Sequence, residues 1–447
     1  MSYPATIQYL ESFINYEKIP AYPYKESLKL ERIKDFLQAI GNPQENLKCI
    51  HIAGSKGKGS TCAFVSHILR QAGYSIGLYT SPHLTDFRER IRILSPRNRN
   101  PQLRDDFEGM IAKEELTELV NKLKPSIEEY NEKSKYGPLS FFEVYTSLAF
   151  VYFKEKKVDF TVLETGLGGR LDATNVANSL VCAITPISYE HTQKLGNTLR
   201  EIAAEKSGII KNSQSIVISA YQENEAIEVI RNRCREIGAR LFEVGKDIKY
   251  KKKGEKFSIK GILGEYNDLK INLAGEHQFV NASVAVGVIE GLNSFGLRAG
   301  ADSVRNGLYN TAWPGRCEVV SCNPLVVLDG AQNTASAQVL KKTIKESFKY
   351  ERLILVLGIS KDKDIKGICE ELHDLADTVI LTKSDNPRAT EPEILAEYFK
   401  DKTKQVTNNV KEASRIAHKT AKKEDLILVT GSLFVVGETR ELLQKHA

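Results

Sequence analysis

Ten consecutive residues, His51-Ile52-Ala53-Gly54-Ser55-Lys56-Gly57-Lys58-Gly59-Ser60, gather three glycines, two lysines and two serine hydroxyls. An apolar run ahead of them (Leu47, Cys49, Ile50, Ile52) reads as a short buried strand. Thr61 to Ala72, closed by Gly73, reads as a helix. Strand, glycine-rich turn and helix together make a phosphate cradle. Glycines let backbone N–H groups turn toward one anion, and the helix N-terminus adds partial positive charge. In such a cradle Lys58 would reach the outer phosphates and Ser60 would offer a hydroxyl to magnesium. The general pattern G-x-x-x-x-G-K-[ST] is met only in part, since it wants the hydroxyl directly after the lysine and a glycine where Ile52 stands. The same residues also read as a plain glycine-rich turn with a solvated lysine pair, and the rest of the chain must decide.

Two further groups could do chemistry with a phosphate. Phe160 to Glu164 reads as a strand ending in an acid and running into Gly166, Gly168 and Gly169. Beside a phosphate loop, that acid suggests a metal ligand; alone, it would be a strand-end carboxylate facing water. Thr80-Ser81-Pro82-His83-Leu84 follows a strand at 76–79 and offers polar groups where parallel sheets place ligands. It also reads as a turn that Pro82 sets and Ser81 caps.

The elements that must position these groups alternate between short apolar runs and amphipathic segments, which predicts an α/β fold built on a P-loop-type doubly wound sheet. Helices are expected at 6–16, 28–40, 113–130, 141–153, 199–204 and 278–291, and a strand at 180–185 leads to Ser188-Tyr189-Glu190-His191. Residues 95–106, with two prolines and three arginines, predict an exposed loop. Period-two alternation broken by glycines at 247–273 predicts a small antiparallel edge sheet. Trp313-Pro314-Gly315-Arg316 breaks the periodicity and divides the chain into domains at 1–312 and 313–447. The second shows strands at 325–328, 353–357, 378–381 and 426–429, a Rossmann-like α/β pattern.

Composition narrows the class. At 447 residues, 41% hydrophobic and 27% charged, the chain is that of a soluble globular protein of two or three domains. It lacks a membrane-length apolar run and a signal-peptide pattern, so a cytoplasmic enzyme with no membrane partner is expected. Seven cysteines without C-x-x-C spacing argue against disulfides and structural zinc. A net charge of +6 gives no warrant for nucleic acid. The basic runs Lys251-Lys252-Lys253 and Arg97-Asn98-Arg99 lack interleaved aromatics and read as solvated loops.

With these residues in place, the chain resembles the folylpolyglutamate synthase and dihydrofolate synthase family of the Mur ligase superfamily from about Ile50 to Gly437. The phosphate loop resembles the family's H-x-A-G-T-N-G-K-G-S, and Leu78–Ile91 its L-Y-T-S-P-H-L-x-x-F-x-E-R-I. Phe141-Phe142-Glu143 resembles F-F-E, Glu164–Asn175 E-x-G-L-G-G-R-L-D-A-T-N, and Leu195–Lys211 L-G-x-T-L-x-x-I-A-x-E-K-x-G-I-x-K. Trp313–Glu318 resembles x-P-G-R-x-E, and Leu328–Asn333 and Val429–Gly437 resemble second-domain motifs.

The resemblance implies an ATP- and magnesium-dependent amide ligase adding L-glutamate to a folate or pteroate carboxylate through an acyl phosphate, as a monomer. It implies that Gly54, Ser55, Lys56, Gly57, Lys58, Gly59 and Ser60 hold the triphosphate, completed by Asn281, Arg316 and Asp329 across a domain interface. Ser60, Ser81, Glu164 and His191 would ligate magnesium, and Lys58, His191 and Lys206 would serve catalysis. Lys206 matches a lysine carbamylated in the family; on its own residues it reads as a helix-surface lysine paired with Glu201 or Glu205. Phe142, Leu171, Asp172 and Ala173 would face the pterin or pteroate, and Lys363, Arg388 and Ser432 the incoming glutamate.

Three departures stand out. Ser55-Lys56 replaces Thr-Asn, Glu190 replaces Asp, and Gln332 replaces His. They leave open a ligase of the same chemistry acting on a different carboxylate.

Overall fold

The computed structural model describes residues 1–19, 22–96 and 107–444. Of the expected loop at 95–106, everything from residue 97 on, including Arg97-Asn98-Arg99, lies outside the described residues. The chain forms two compact units. One comprises Met1–His83, Phe87–Asn272 and Gln278–Thr311; the other comprises Leu84–Asp86, Leu273–His277 and Ala312–Ala447.

The first unit is built on seven strands: β1 (Cys49–Ala53), β2 (Ile76–Tyr79), β3 (Ile91–Leu94), β4 (Phe160–Glu164), β5 (Ser179–Ile184), β6 (Ile216–Ser219) and β7 (Arg240–Glu243). Their order is β3-β2-β4-β1-β5-β6-β7, parallel throughout except for β3 at one edge. Strands β1, β4 and β6 are buried along their whole length, as continuous apolar runs in a sheet covered on both faces should be. The Lys58–Gln71 helix is buried from Ser60 to Arg70. Each of its buried Phe, Val, Ile and Leu side chains contributes about 1.5–3 kcal/mol, so the segment opening on the glycine loop is anchored firmly.

The period-two segment forms a three-stranded antiparallel sheet of its own, in the order β10-β9-β8, from β8 (Lys249–Lys253), β9 (Lys256–Lys260) and β10 (Glu265–Leu269). Lys251-Lys252-Lys253, expected in a loop, therefore lies in a strand. β8 is an exposed edge, where lysines suit a strand that must not recruit another chain. Tyr250 stacks on Phe279 (6.0 Å) and holds it in place.

The second unit carries a six-stranded sheet, β11-β12-β16-β13-β14-β15. It comprises β11 (Glu318–Cys322), β12 (Leu325–Leu328), β13 (Leu353–Leu357), β14 (Thr378–Leu381), β15 (Thr403–Val406) and β16 (Leu426–Thr430). Only β11 runs antiparallel to its neighbour.

Some boundaries differ from expectation. The first helix runs Tyr3–Glu11, because the Ser2 hydroxyl accepts from the Ala5 N–H and Pro4 pre-sets the first turn. The strands β3, β6, β7, β11 and β15 and the helices Asn224–Ile237 and Ala301–Tyr309 had no sequence expectation.

Candidate active site

In the first unit, β2, β4, β1 and β5 are consecutive neighbours and parallel, so their carboxyl ends leave the sheet at one edge. From that edge emerge Ser81 after β2, Glu164 closing β4, the Gly54–Ser60 loop after β1, and Glu190-His191 beyond β5. Segments scattered over more than 100 positions thereby share the place where parallel sheets bind ligands.

The loop is shaped by backbone conformation. Gly54 has φ +149° with Thr185 Oγ1 lying 1.9 Å from where a Cβ would be, and Gly57 has φ +82° with Asn281 Oδ1 2.2 Å from its own. Any side chain at either position would collide with a neighbour and strain the backbone. The Ser55 and Lys56 N–H groups donate to the Pro186 carbonyl (3.0 and 3.2 Å), and Ser188 N–H donates to Ser55 Oγ (3.0 Å), tying the loop to the segment after β5. The first-turn amides that follow Gly57 are donors that a helix leaves without intrahelical partners, as an anion site requires. Asn281 Nδ2 donates to Gln278 Oε1 (2.9 Å), and Gln278 Nε2 reaches Ser60 Oγ (3.4 Å). All three side chains are buried.

Lys58 and Lys206 both donate to the Gly54 carbonyl, at 3.0 and 2.7 Å. Lys206 is 1% exposed and also donates to Glu190 Oε1 at 2.5 Å. Burial pulls its ammonium down to about 8, against the opposing pull of Glu190. Burial pushes the Glu190 carboxyl up, but Lys206, Lys58 and His191 together hold it below its ordinary value. Burial also lowers the Lys56 ammonium, which Glu190 partly restores. Glu190, noted in the sequence only as a departure from the family's Asp, is thus the anion around which the basic groups of this edge are arranged.

Glu205 and Glu201, the surface partners considered for Lys206, are engaged elsewhere. Glu205 accepts from Arg170 (2.7 Å) and Tyr24 (3.2 Å), and Glu201 caps its own helix at Thr198. With Lys206 unmodified, its ammonium is the group that bridges the Gly54 carbonyl and the Glu190 carboxylate.

Among the described residues no group of three His, Cys, Asp or Glu side chains could hold a metal ion. Magnesium asks for less: one or two carboxylates together with hydroxyl, water and phosphate oxygens. Glu164 fits that role, being 6% exposed at its strand end with Oε2 accepting the Ser81 N–H at 3.2 Å. Cys62, one turn into the helix after the loop, feels the charges of both Glu164 and Lys58. Ser60 is 4% exposed. His191 stands exposed on a left-handed residue (φ 46°) beside Glu190.

On the expected acceptor side, Phe142 lies against Tyr79 (5.9 Å) and against Gly166, where a Cβ would come within 2.7 Å of the ring. Glu143 of the same motif is structural: it closes the capping box of the Phe141–Glu155 helix and pairs with buried Arg32 (2.8 Å). Leu171 is half-buried and Ala173 buried. Asp172 is buried and spent on its own loop. Oδ2 accepts from the Gly166 and Leu167 N–H groups (2.9 Å each), and Oδ1 from the Thr174 N–H and hydroxyl. It shapes the acceptor-side loop and presents no idle oxygen. With Thr174 donating to Asp172, His51 must donate to Thr174 Oγ1 through Nε2 (2.7 Å), and burial lowers this imidazole to about 3, keeping it neutral.

In the second unit, Asp329 accepts from the Cys317 N–H (2.9 Å) and the Ala331 N–H (2.9 Å). Arg316 donates to the Gly315 carbonyl (3.0 Å). Ser432 is buried, with its hydroxyl accepting from the Phe434 N–H at the start of the last helix. Lys363 and Arg388 lie together, each paired with Asp362. Gln332 N–H donates to Ser336 Oγ (3.1 Å), a contact that asks nothing of an imidazole.

A doubly wound nucleotide-type unit followed by a second Rossmann-like unit defines a two-domain ligase of the Mur class. Residues 130–289 match the Mur ligase middle domain and residues 315–433 the Mur ligase glutamate ligase domain. The chain belongs to the dihydrofolate synthase/folylpolyglutamate synthase family. It is 36% identical over 423 residues to the dihydrofolate synthase/folylpolyglutamate synthase of Bacillus subtilis, covering 93% of this chain and 95% of that one. The folylpolyglutamate synthase structure from Thermotoga maritima superposes with a TM-score of 0.84 at 34% identity, covering 100% of this chain and 97% of that one. Escherichia coli FolC in complex with DHPP and ADP gives 0.83 at 28% identity, covering 100% and 98%.

Proposed function

We infer that this chain is an ATP-dependent amide ligase that adds L-glutamate to a folate-type carboxylate through an acyl phosphate. The observation that carries the reading is the shared sheet edge, where the glycine loop, Ser81, Glu164, Lys58 and Lys206 meet. A carboxylate is a poor electrophile because its leaving group would be oxide. An acceptor oxygen therefore attacks the γ-phosphorus of ATP and expels ADP. The glutamate amine then attacks the acyl carbon and expels phosphate, losing its proton as the amide forms.

Phosphoryl transfer depends chiefly on positioning and on neutralising oxygens. The amides after Gly57 hold the triphosphate, and Lys58 neutralises charge on its outer oxygens. Lys206, fixed by Gly54 and Glu190, keeps the loop and the segment after β5 in register. Ser60, Ser81, Glu164 and His191 would hold magnesium, which would supply Lewis-acid polarisation of phosphate oxygens. Phe142, Leu171 and Ala173 flank the acceptor, whose loop Asp172 holds. We assign ATP binding to residues 1–312 and glutamate handling to 313–447, in a cytoplasmic monomer acting on small molecules. Among the described residues no helix is long and apolar enough to cross a membrane.

Purified protein given ATP, magnesium, glutamate and either dihydropteroate or tetrahydrofolate should release ADP and phosphate in an acceptor-dependent way. Mass spectrometry should find the acceptor heavier by one glutamyl unit. No release with either acceptor overturns the reading.

A further inference from the structure

The loop after β13 and the loop after β14 are laced along their backbones. Lys361 N–H donates to the Arg388 carbonyl (2.7 Å), Thr390 N–H donates to the Ile359 carbonyl (2.9 Å), and Ser360 bridges Ala389. Above that lacing, the side chains form a separate arrangement. Asp362 Oδ1 accepts from Arg388 Nε (3.1 Å) and from its terminal nitrogen (2.6 Å), while Oδ2 faces Lys363 Nζ at 3.2 Å. The three side chains are 18–25% exposed, so solvent and ligands reach them. Burial raises the Asp362 carboxyl, but Arg388 and Lys363 bring it below the ordinary range.

We infer that Asp362 is the positioning residue of a subsite for a dicarboxylic amino acid, giving one oxygen to each of two cations and so fixing where both point. The inference rests on the reading in which Lys363 and Arg388 meet the incoming glutamate. The backbone contacts already hold the two loops together, so the ion pairs are not needed for that. What they determine is the direction of a guanidinium and an ammonium that would otherwise repel each other. The two cations so directed are the groups that would meet an incoming carboxylate, one as a point charge and one as a planar fork.

Steady-state kinetics on the full chain separate the possibilities. Asp362→Asn should raise the KM for glutamate by about tenfold or more, with kcat, the KM values for ATP and acceptor, and the melting temperature near wild type. Asp362→Glu should recover part of the loss. A fall in glutamate KM would mean that Asp362 merely competes with substrate, and a uniform shift of every parameter would mean a structural role; either overturns the inference. Arg388→Lys and Lys363→Ala provide the control. If neither raises the glutamate KM, the subsite assignment fails and takes this inference with it. If they raise it and Asp362→Asn does not, only the role of Asp362 fails.

Discussion

Each of the two sheets ends in a carboxylate shared by basic side chains, and the two clusters are built in opposite ways. In the first unit Lys206 is 1% exposed and Glu190 17%, and the lysine is also fixed by a backbone carbonyl in a loop whose glycines admit no side chain. In the second, Lys363, Arg388 and Asp362 are 18–25% exposed, and side-chain ion pairs set how the three point. The first arrangement would suit a triphosphate, whose charges must meet fixed donors. The second would suit an amino acid, whose binding exchanges solvated ion pairs at small cost.

The largest separation between the two should come from deleting one lysine in each. Lys206→Ala strands Glu190 and leaves the Gly54 carbonyl short of a donor, so it should cost about 3 kcal/mol of stability and most of the turnover. Added bicarbonate should not restore activity. Lys363→Ala should cost no more than about 1 kcal/mol of stability, with its effect confined to glutamate kinetics. Thermal unfolding and kinetics of both variants check this; equal stability losses would end the contrast.

Gly57→Ala comes next. At φ +82° an alanine pays about 1–2 kcal/mol of backbone strain, and its methyl meets Asn281 Oδ1. ATP affinity, measured by calorimetry, should fall about tenfold or more while acceptor binding holds. Unchanged ATP affinity would mean that the loop's shape is not what presents the donors.

The same contrast explains what the sequence revealed. The phosphate loop, Ser81 and Glu164 were legible because glycine spacing and strand ends are local signals, while the strand order that brings them to one edge came only with the structure. Lys206 on its own residues looked like a surface lysine, since Glu201 and Glu205 are closer in sequence than Glu190; only the fold turns it inward. Asp362 gave no signal, because its partners come from two loops whose nearness depends on β13 pairing with β14. Asp172 was placed at the acceptor by the family resemblance alone, since its bonds to the backbone of its own loop leave no mark in the residue pattern. The missed strands β6 and β7 flank the Asn224–Ile237 helix, and that whole stretch had no expectation.

A smaller effect tests whether Lys56 belongs to the first arrangement. Lys56 is half-buried and within reach of the Glu190 charge, so its ammonium would add to the positive field met by a triphosphate in the loop. Lys56→Asn should weaken ATP binding by about threefold to tenfold, with the deficit shrinking as salt screens the loop. Tighter ATP binding by the variant would show that the second lysine instead displaces a contact that asparagine makes.

The smallest expected effect lies in the second unit, where solvated ion pairs should matter little. His373 stacks on Phe399 and sits between Asp401 (2.8 Å) and Asp374 (3.2 Å), whose hydrogen bonds raise its imidazole above the ordinary value against a small opposing effect of burial and of Lys402. A raised pKa in the folded state means that the contribution is fully present below about 6.5, the unfolded value, and is lost as pH rises through the folded one. His373→Gln should therefore lower stability at pH 5.5 and matter less at pH 8.5, by a difference under about 1 kcal/mol. The chain's single tryptophan, Trp313, lies in this unit and reports its unfolding by fluorescence. A variant whose urea midpoint tracks wild type equally at both pH values would remove the histidine from the account. A difference well above 1 kcal/mol would show that solvated pairs here hold more than the comparison allows.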